Sequence, residues 1–320
     1  MDGKIYSLIL SKIKKFSVEF STDKAFAQLT TLGCGGKILV TVFPDSVAKL
    51  VKCVRLFDRL KVRYCLLGKG SNVLASDDDF DGVVIVTSKM KSSKIVGKCA
   101  YAECGVSTVT LARTLMNKAL TGGEFLACIP ATIGGALVTN AGCYGQQMSD
   151  VVTSVKVLYG GKICTWGRKK CNFSKRSSVF AHDNNIIILS AKLKFTASNF
   201  DEVSQLIDKM RAKKSATQPL NYRSAGSVLF HDKVAVSRLL DMAGLKGFTV
   251  GGAQVSERHA GFVINIDKAT SKDIYLVIQH MQRTLLKRFG IDAKLEIRLI
   301  NFAEESTQVT KDSDDIFTDG

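Results

Sequence analysis

The chain has 320 residues, a formal net charge of +16 at pH 7 and 46% hydrophobic residues. This length is typical of about two domains, and the hydrophobic content is sufficient for a packed core. No stretch reaches the ~18 consecutive apolar residues of a membrane-spanning helix, which argues against a helical membrane protein and predicts a cytoplasmic one.

The net charge limits which ligands the protein is expected to bind, and the cysteine spacing indicates whether a metal site or disulfides are expected. A basic protein can bind nucleic acid or a smaller polyanion such as a nucleotide, but the lysines are scattered rather than clustered with aromatic residues. A solvated basic surface without a specific partner is therefore the simpler interpretation. The nine cysteines include no CxxC pair, so the sequence predicts reduced thiols and no metal site.

Residues 1–195 are predicted to mix strands and helices, with strands in the majority. The start resembles an amphipathic helix more than a signal peptide, because Asp2 precedes the apolar patch and lysines follow it. The further predicted elements are a strand at 38–43, a helix at 45–60, strands at 63–67 and 83–86, a helix from Ser107 to Leu120, and strands near 152–159, 162–166 and 185–195.

Residues 196–302 are predicted to form a smaller α+β domain of ordinary size. Its predicted elements are helices at 200–213 and 234–242, a strand at 261–266, a long amphipathic helix at 271–289 and a final strand at 295–300. Residues 303–320 carry six acidic residues and one lysine without apolar periodicity, so we expect a disordered tail.

The segment at 122–145, GGEFLACIPATIGGALVTNAGCYG, contains six glycines and a single formal charge, at Glu124. Backbone without side chains can lie directly against a ligand, and its N–H groups can bind a phosphate or a polar ring edge. A buried strand-turn-strand segment of the core is the alternative interpretation of the same pattern.

A second glycine cluster, LLGKGSNVLASDDDFDGVVI at 66–85, follows a predicted strand. It is not a Rossmann fingerprint, since Val73 stands where a third glycine is needed and no helix pattern follows. The P-loop motif GxxxxGK[ST] is absent from the chain. A third cluster, GCGG at 33–36, follows two threonines.

Together these segments resemble the UDP-N-acetylenolpyruvoylglucosamine reductase (MurB) family, in the same order along residues 30–300. The matching segments are TTLGCGG (30–36), LLGKGSNVL (66–74), EFLACIPATIGGALVTNAGCYG (124–145), RSSVF (176–180), SAGSVLF (224–230), AGLKGFTVGGAQVSERHAGFVIN (243–265) and FGIDAKLEIRLI (289–300).

The resemblance implies an α+β protein with a two-lobed FAD-binding PCMH-type domain of the vanillyl-alcohol-oxidase fold at 1–195 and a smaller α+β substrate domain at 196–302. NADPH would reduce a noncovalent FAD, which would pass hydride to the enolpyruvyl group of a UDP-sugar and give the peptidoglycan precursor UDP-N-acetylmuramate. The segment from Ser227 to Glu296 is too short for the extra subdomain that some family members carry, which favours the short subclass of the family. We expect a monomer that binds neither nucleic acid nor membrane.

By the same resemblance, Ser227 is the proton donor, and Glu296 and Arg176 assist at the substrate carboxylate. Hydride addition to a carboxylate-conjugated alkene develops negative charge that a cation stabilises, and a polarised hydroxyl can deliver the proton. The implied cofactor-binding residues are Gly68, Lys69, Gly70, Ser71, Asn72, Pro130, Ala131, Thr132, Gly134, Gly135, Asn140 and Gly142. Judged from the residues alone, Ser227 is more simply interpreted as a turn hydroxyl, Glu296 as a carboxylate facing solvent and Arg176 as a solvated loop charge.

The chain departs from the family pattern at Lys175, at Arg223 and at residues 229–232, where the family commonly has tyrosine, proline and Phe-Lys-Asn-Pro. His231 is a candidate to replace the missing lysine, and His259 is expected to be structural. Two alternatives stay open: an FAD-dependent oxidase or dehydrogenase of the same fold with another substrate, and a basic nucleic-acid-binding protein.

Overall fold

The computed structural model describes residues 1–303, which form two compact units. The first unit contains Met1–Ala25, Lys37–Ser71 and Asp79–Gln218. The second contains Phe26–Gly36, Asn72–Asp78 and the described residues that follow Gln218. Residues 304–320, which make up all but the first residue of the predicted acidic tail, lie outside the described residues.

The helices of the described residues follow in chain order. They are Gly3–Lys15 (α1), Phe26–Leu29 (α2), Val47–Arg59 (α3), Thr108–Asn117 (α4), Ile133–Val138 (α5), Met148–Val151 (α6), Val179–His182 (α7), Phe200–Thr217 (α8), Val236–Met242 (α9) and Ser271–Phe289 (α10), with 3₁₀ turns at Thr87–Lys89, Glu124–Cys128 and Arg168–Cys171. None of the helices within residues 1–303 is both long and apolar enough to cross a membrane.

The strands alternate with these helices. They are Glu19–Ser21 (β1), Ile38–Phe43 (β2), Tyr64–Leu67 (β3), Val73–Ala75 (β4), Phe80–Val86 (β5), Ser93–Val96 (β6), Cys99–Glu103 (β7), Leu120–Thr121 (β8), Gly142–Cys143 (β9), Gln146–Gln147 (β10), Val152–Tyr159 (β11), Lys162–Gly167 (β12), Ile187–Lys194 (β13), Thr196–Ala197 (β14), Arg223–Ser227 (β15), Leu229–Phe230 (β16), Thr249–Val250 (β17), Ala253–Val255 (β18), Phe262–Asn265 (β19), Lys294–Leu295 (β20) and Arg298–Ile300 (β21).

The first unit contains a four-stranded sheet with the order β1-β2-β5-β3, in which β2, β5 and β3 run parallel. Val40 and Val83 pair across it and are fully buried, as is usual for parallel strands covered on both faces. Helix α3 begins after Ser46 and buries Leu50 and Phe57 in the same core. The loop after β3 therefore leaves at the carboxyl ends of parallel strands, where ligands commonly bind in α/β sheets.

A second sheet of the first unit has the order β12-β11-β13-β7-β6, with every neighbouring pair antiparallel. In β7, Ala100 and Ala102 are buried while Tyr101 is exposed, so one face of the sheet covers a core and the other faces solvent. Helix α5 packs against β7 and β13 with Ile133 and Leu137 fully buried. The glycine-rich segment around α5 is thereby fixed on this sheet.

The second unit has an antiparallel sheet with the order β15-β19-β18-β17. Helix α10 starts with a capping box formed by Thr270 and Asp273, and it buries Ile278 and Met281 against this sheet. Two small pairs complete the unit: β16 with β20, antiparallel, and β4 with β21, parallel.

The predicted helices and strands are largely confirmed, and two are wrong in extent. The predicted strand at 295–300 is interrupted at residues 296–297, because Leu295 pairs with Leu229 whereas Arg298 pairs with Val73. Helix α8 continues past its predicted end to Thr217. It packs on α4 and on the turn at 124–128, and it belongs to the first compact unit, which ends at Gln218. The domain boundary at residue 195 stays a prediction.

Candidate functional site

Residues 68–72 form the loop that leaves the carboxyl end of β3. Gly70 has φ +63°, a left-handed conformation that favours glycine, and the chain turns sharply there. Strand β4 follows the loop instead of a helix, which confirms that this is not a Rossmann fingerprint. Residues 68–71 belong to the first unit, and Asn72 begins a segment of the second.

Gly68 lies against Thr132, so the structure brings two predicted cofactor segments together in the first unit. A Cβ on Gly68 would lie 2.4 Å from Thr132 Oγ1. That hydroxyl is buried and accepts a hydrogen bond from the Gly135 N–H at 3.2 Å, which caps α5. A side chain at position 68 would displace the hydroxyl, so the close approach requires glycine.

Lys69 contacts Ser107, a residue that the sequence analysis did not assign to the site. Its Nζ donates to Ser107 Oγ at 2.8 Å, and burial lowers the pKa of Lys69. Ser107 is the predicted N-cap residue of α4, but its side chain makes no capping bond. Thr108 Oγ1 donates to the Ala131 carbonyl at 3.1 Å. An N-cap serine was the only sequence signal for these contacts.

Four backbone N–H groups of this cluster have no protein acceptor among residues 1–303, namely those of Gly68, Lys69, Ser71 and Thr132. Unpaired N–H groups beside a lysine form the donor set that a pyrophosphate accepts. The absence of a side chain at Gly68 leaves the backbone uncovered at the same point. The residues present therefore fit a dinucleotide cofactor such as FAD.

The glycines farther along the second segment have packing reasons of their own. The Gly134 N–H donates to the Cys104 carbonyl at 2.7 Å, and a Cβ would lie 3.0 Å from Cys104 Cβ. A Cβ on Gly142 would lie 2.3 Å from the Gln146 carbonyl in the β9–β10 hairpin. Gly135 is exposed, and a Cβ there would make only an ordinary contact. Direct cofactor contact by these three residues stays a prediction, as it does for Pro130.

Asn140 is buried and its side chain is taken up by protein partners. Its Nδ2 donates to the Ser174 carbonyl at 2.9 Å and to Gln147 Oε1 at 3.1 Å. Its Oδ1 accepts from the Ser149 N–H at 2.9 Å. Asn140 therefore ties the glycine-rich segment to the loop that contains Arg176.

Arg176 lies in a tight turn between Ser174 and Ser177, at φ +56°. Ser178 Oγ anchors the turn further by donating to the Val138 carbonyl at 2.7 Å. A non-glycine residue in the left-handed region is uncommon and is found more often at functional sites. Arg176 belongs to the first unit and is held beside the predicted cofactor segment.

Ser227 ends β15, opposite Phe262 of β19. The pairing register shifts between Ser224 and Ser227, and Gly226 has φ +79°. A bulge changes the direction of the side chains that follow it, so the direction of the Ser227 side chain depends on this irregularity. Ser227 is half-buried, and its hydroxyl has no hydrogen-bond partner within residues 1–303.

Glu296 lies beside the Ser227 strand in the second unit. Its N–H donates to the carbonyl of Val228, the residue after Ser227, at 2.9 Å. Its carbonyl accepts from Asn72 Nδ2 at 2.8 Å. The interruption between β20 and β21 thus lets the Glu296 backbone bond to Val228, which follows Ser227, and to Asn72. Both Ser227 and Asn72 are predicted site residues.

The third glycine cluster, at 33–36, packs on the segment after β4. A Cβ on Gly36 would lie 2.3 Å from the Asp77 carbonyl, and the Gly36 N–H donates to the Ser76 carbonyl at 2.8 Å. A Cβ on Gly35 would lie 2.7 Å from Phe26 Cβ. These glycines are explained by the approach of two backbone segments within the second unit.

Known proteins match both parts of the chain. An FAD binding domain family matches residues 38–165, and the C-terminal domain of UDP-N-acetylenolpyruvoylglucosamine reductase matches residues 218–300. The UDP-N-acetylenolpyruvoylglucosamine reductase of Caldanaerobacter subterraneus is 32% identical over 297 residues, which cover 92% of this chain and 98% of that protein. The reductase of Caldicellulosiruptor bescii is 35% identical over 291 residues, 90% of this chain and 93% of that one.

The fold is similar to that of a solved reductase. The crystal structure of UDP-N-acetylenolpyruvylglucosamine reductase from Thermus caldophilus matches with a TM-score of 0.75 and 25% identity, over 88% of this chain and 98% of that chain. The similarities in sequence and in structure thus extend over most of the chain and include both units.

Proposed function

This chain belongs to the UDP-N-acetylenolpyruvoylglucosamine reductase (MurB) family, and we propose that Ser227, Glu296 and Arg176 carry its reaction. The enzyme is a UDP-N-acetylmuramate dehydrogenase, which reduces the enolpyruvyl group of UDP-N-acetylglucosamine enolpyruvate in peptidoglycan precursor synthesis. Its fold combines an FAD-binding domain of the PCMH type with the family's C-terminal domain.

When bound, FAD supplies the transfer of hydride from NADPH to the substrate. The uncovered backbone of Gly68 and the unpaired N–H groups of Lys69, Ser71 and Thr132 would hold its pyrophosphate, with the Lys69 ammonium as the nearby cation. We infer noncovalent binding, so denaturation should release all of the flavin into the supernatant. Flavin that stays with the polypeptide would contradict this.

The unpartnered hydroxyl of Ser227 is the observation that carries the mechanistic proposal. A serine whose hydroxyl is already hydrogen-bonded to protein must break that bond before it can donate a proton, whereas Ser227 is available to a substrate. Gly226 fixes its direction, and the bond between Glu296 N–H and the Val228 carbonyl holds the adjacent backbone.

Negative charge develops on the substrate carboxylate when hydride is added to the alkene, and a nearby cation stabilises that charge. Arg176 supplies a guanidinium on a turn that Asn140 and Ser178 hold rigidly, so little reorganisation is needed when the charge appears. Glu296 is proposed to polarise the serine or the substrate carboxyl group. A cytoplasmic monomer that binds no nucleic acid stays a prediction of the sequence.

The proposal is tested by separating the two half-reactions of Ser227→Ala. Reduction of the flavin by NADPH should be unchanged, while reoxidation by the enolpyruvyl UDP-sugar should slow about 10²–10⁴-fold, the usual contribution of a general acid. Ser224→Ala, in the same strand, is the matched control and should leave both rates unchanged. Near-normal turnover by Ser227→Ala would disprove the assignment.

A further inference from the structure

The exposed face of the five-stranded sheet in the first unit carries lysines from three of its strands. Lys94 of β6 and Lys192 of β13 both pair with Tyr101 of β7, which is 37% exposed, and paired residues lie on the same face of a sheet. Ser190, two residues before Lys192, pairs with Lys156 of β11. Pairing and alternation along the strands thus place four lysines on this surface, here called the lysine face: Lys94, Lys156, Lys192 and Lys194.

Tyr101 lies between two of these cations. The Nζ atoms of Lys94 and Lys192 are 5.6 Å and 5.5 Å from the centroid of its ring. A cation over an aromatic ring is attracted to it, so the ring helps to keep both ammonium groups on this face. Because β6 and β13 flank β7 on opposite sides, the two lysines approach the ring from two directions.

The positive charge of the lysine face is not neutralised within the protein. None of its four lysines forms an ion pair within residues 1–303. Glu103 is the one acidic residue at the strand positions of this face, and its carboxylate accepts a hydrogen bond from the Ser92 N–H at 3.3 Å. Four lysines and one glutamate give the face a net charge of +3.

The spacing of the lysines lets their electrostatic potentials add. Neighbouring strands are about 4.8 Å apart, so the backbones of Lys94 and Lys192, two strands apart, are separated by about 10 Å. Lys192 and Lys194, on one strand, are about 7 Å apart. These separations do not exceed the Debye length of about 10 Å at about 0.1 M salt, so a nearby anionic surface is attracted by the lysines together.

The residue types favour a lipid surface over a nucleic acid as the partner. All four cations are lysines, which are strongly hydrated point charges, whereas arginine is the side chain suited to bidentate recognition of nucleic acid. Single-stranded nucleic acid binds through aromatic rings that stack on bases, but a base stacked on Tyr101 would displace a lysine. A bilayer with anionic headgroups attracts clustered lysines without needing such a ring.

We propose that the lysine face docks this protein peripherally on the surface of an anionic lipid bilayer. The sequence analysis expected no membrane binding because no segment is apolar enough to span a bilayer, and electrostatic docking on headgroups needs no such segment. Helix α5 packs with the buried residues Ala100 and Ala102, on the other face of the sheet, so docking leaves the predicted cofactor segment uncovered. The proposal rests on charge and strand register and is independent of the assigned reaction.

The first test is cosedimentation of the purified protein with vesicles of phosphatidylglycerol and phosphatidylcholine in equal amounts, or of phosphatidylcholine alone. Binding at about 0.1 M salt should require phosphatidylglycerol and should disappear at about 1 M salt, where the Debye length is about 3 Å. Each lysine near an anionic bilayer strengthens binding about fivefold, so the loss of four should weaken it by roughly several hundredfold. The variant carries Lys94→Gln, Lys156→Gln, Lys192→Gln and Lys194→Gln.

The matched control removes the same number of charges from exposed lysines of the first unit that lie outside the face. It carries Lys4→Gln, Lys14→Gln, Lys118→Gln and Lys209→Gln. Both variants lower the net charge equally, so docking through the lysine face predicts near-normal vesicle binding by the control. An equal loss of binding in both variants, or no binding by the unmodified protein, would overturn the proposal.

The second test needs no variant and measures the acetylation of lysines in the unmodified protein, with and without the phosphatidylglycerol vesicles. The exposed Lys94, Lys156 and Lys194 should be protected by the vesicles, whereas Lys118 and Lys209 should be acetylated as before. Equal protection of both groups would contradict docking through this face. Protection of the lysine face by an oligothymidylate but not by the vesicles would overturn the proposal and assign the face to nucleic acid.

Discussion

Gly226 offers the sharpest test of how the fold aims the Ser227 hydroxyl. It has φ +79°, yet a Cβ built on it meets no atom within 4 Å. Gly226→Ala therefore creates no clash, and its only cost is the left-handed backbone, about 1–2 kcal/mol for a residue with a Cβ. The strand can relieve that strain by rotating the 226–227 peptide, which moves the hydroxyl.

Gly160 provides a control with the same backbone property. It has φ +55° in the turn between β11 and β12, again with nothing within 4 Å of a built Cβ. Gly160→Ala and Gly226→Ala should thus lose similar stability, a fall of a few degrees in Tm at about 2–4 °C per kcal/mol. Only Gly226→Ala should slow the reaction with the UDP-sugar, because a misplacement of about 1 Å can cost about 10²-fold.

Differential scanning fluorimetry and stopped-flow flavin reoxidation measure the two quantities on the same samples. We expect the two variants to lose similar amounts of Tm but different amounts of reoxidation rate. Equal rates in Gly226→Ala and Gly160→Ala would refute the claim that this bulge positions the proton donor. So would a Gly226→Ala variant that is stable and fully active.

Three further predictions follow from contacts in the described residues. Lys69→Met should weaken FAD retention on gel filtration, because it removes the cation that Ser107 holds at the uncovered loop, while the exposed Lys118→Met should not. Asn140→Ala should cost about 2–4 kcal/mol in urea unfolding by leaving buried partners unpaired, whereas the exposed Asn117→Ala should be neutral. Burial lowers the pKa of His259 from 6.5, so the unfolded state binds more protons than the folded state as the pH falls. The free energy of unfolding should therefore decrease below about pH 6.5, and His259→Phe should reduce this pH dependence.

Much of the fold was predictable because its signals are local. The stripe of apolar residues at 45–60 predicts helix α3, and the apolar periodicity at 271–289 predicts helix α10. The Thr270 capping box and the left-handed Gly290 define the ends of α10. The strand at 38–43 is an apolar run of the predicted length. His259 is also as expected, since its Nδ1 accepts from the Gly261 N–H at 3.2 Å.

What the sequence could not supply depends on contacts between distant segments. Alternation at 295–300 predicts one strand, but pairing with two different partners breaks it at Glu296. Ser107 has the sequence of an N-cap, while its hydroxyl binds Lys69 instead. In the sequence, Gly142 and the glycines at 33–36 resemble glycines of ligand-binding loops. In the structure, the close approach of neighbouring backbone is by itself a sufficient reason for glycine at positions 36 and 142.

The central claim is that residues 68–71 and 130–135 hold a flavin that reduces an enolpyruvyl UDP-sugar. It is tested most directly by the visible spectrum of the purified protein under anaerobic conditions, first with NADPH and then with UDP-N-acetylglucosamine enolpyruvate. We expect flavin bands that bleach with NADPH and return with the sugar. Bleaching without return would contradict the substrate assignment and favour an oxidase of the same fold. A protein that shows no flavin bands even after incubation with FAD would contradict the assignment of the cofactor site.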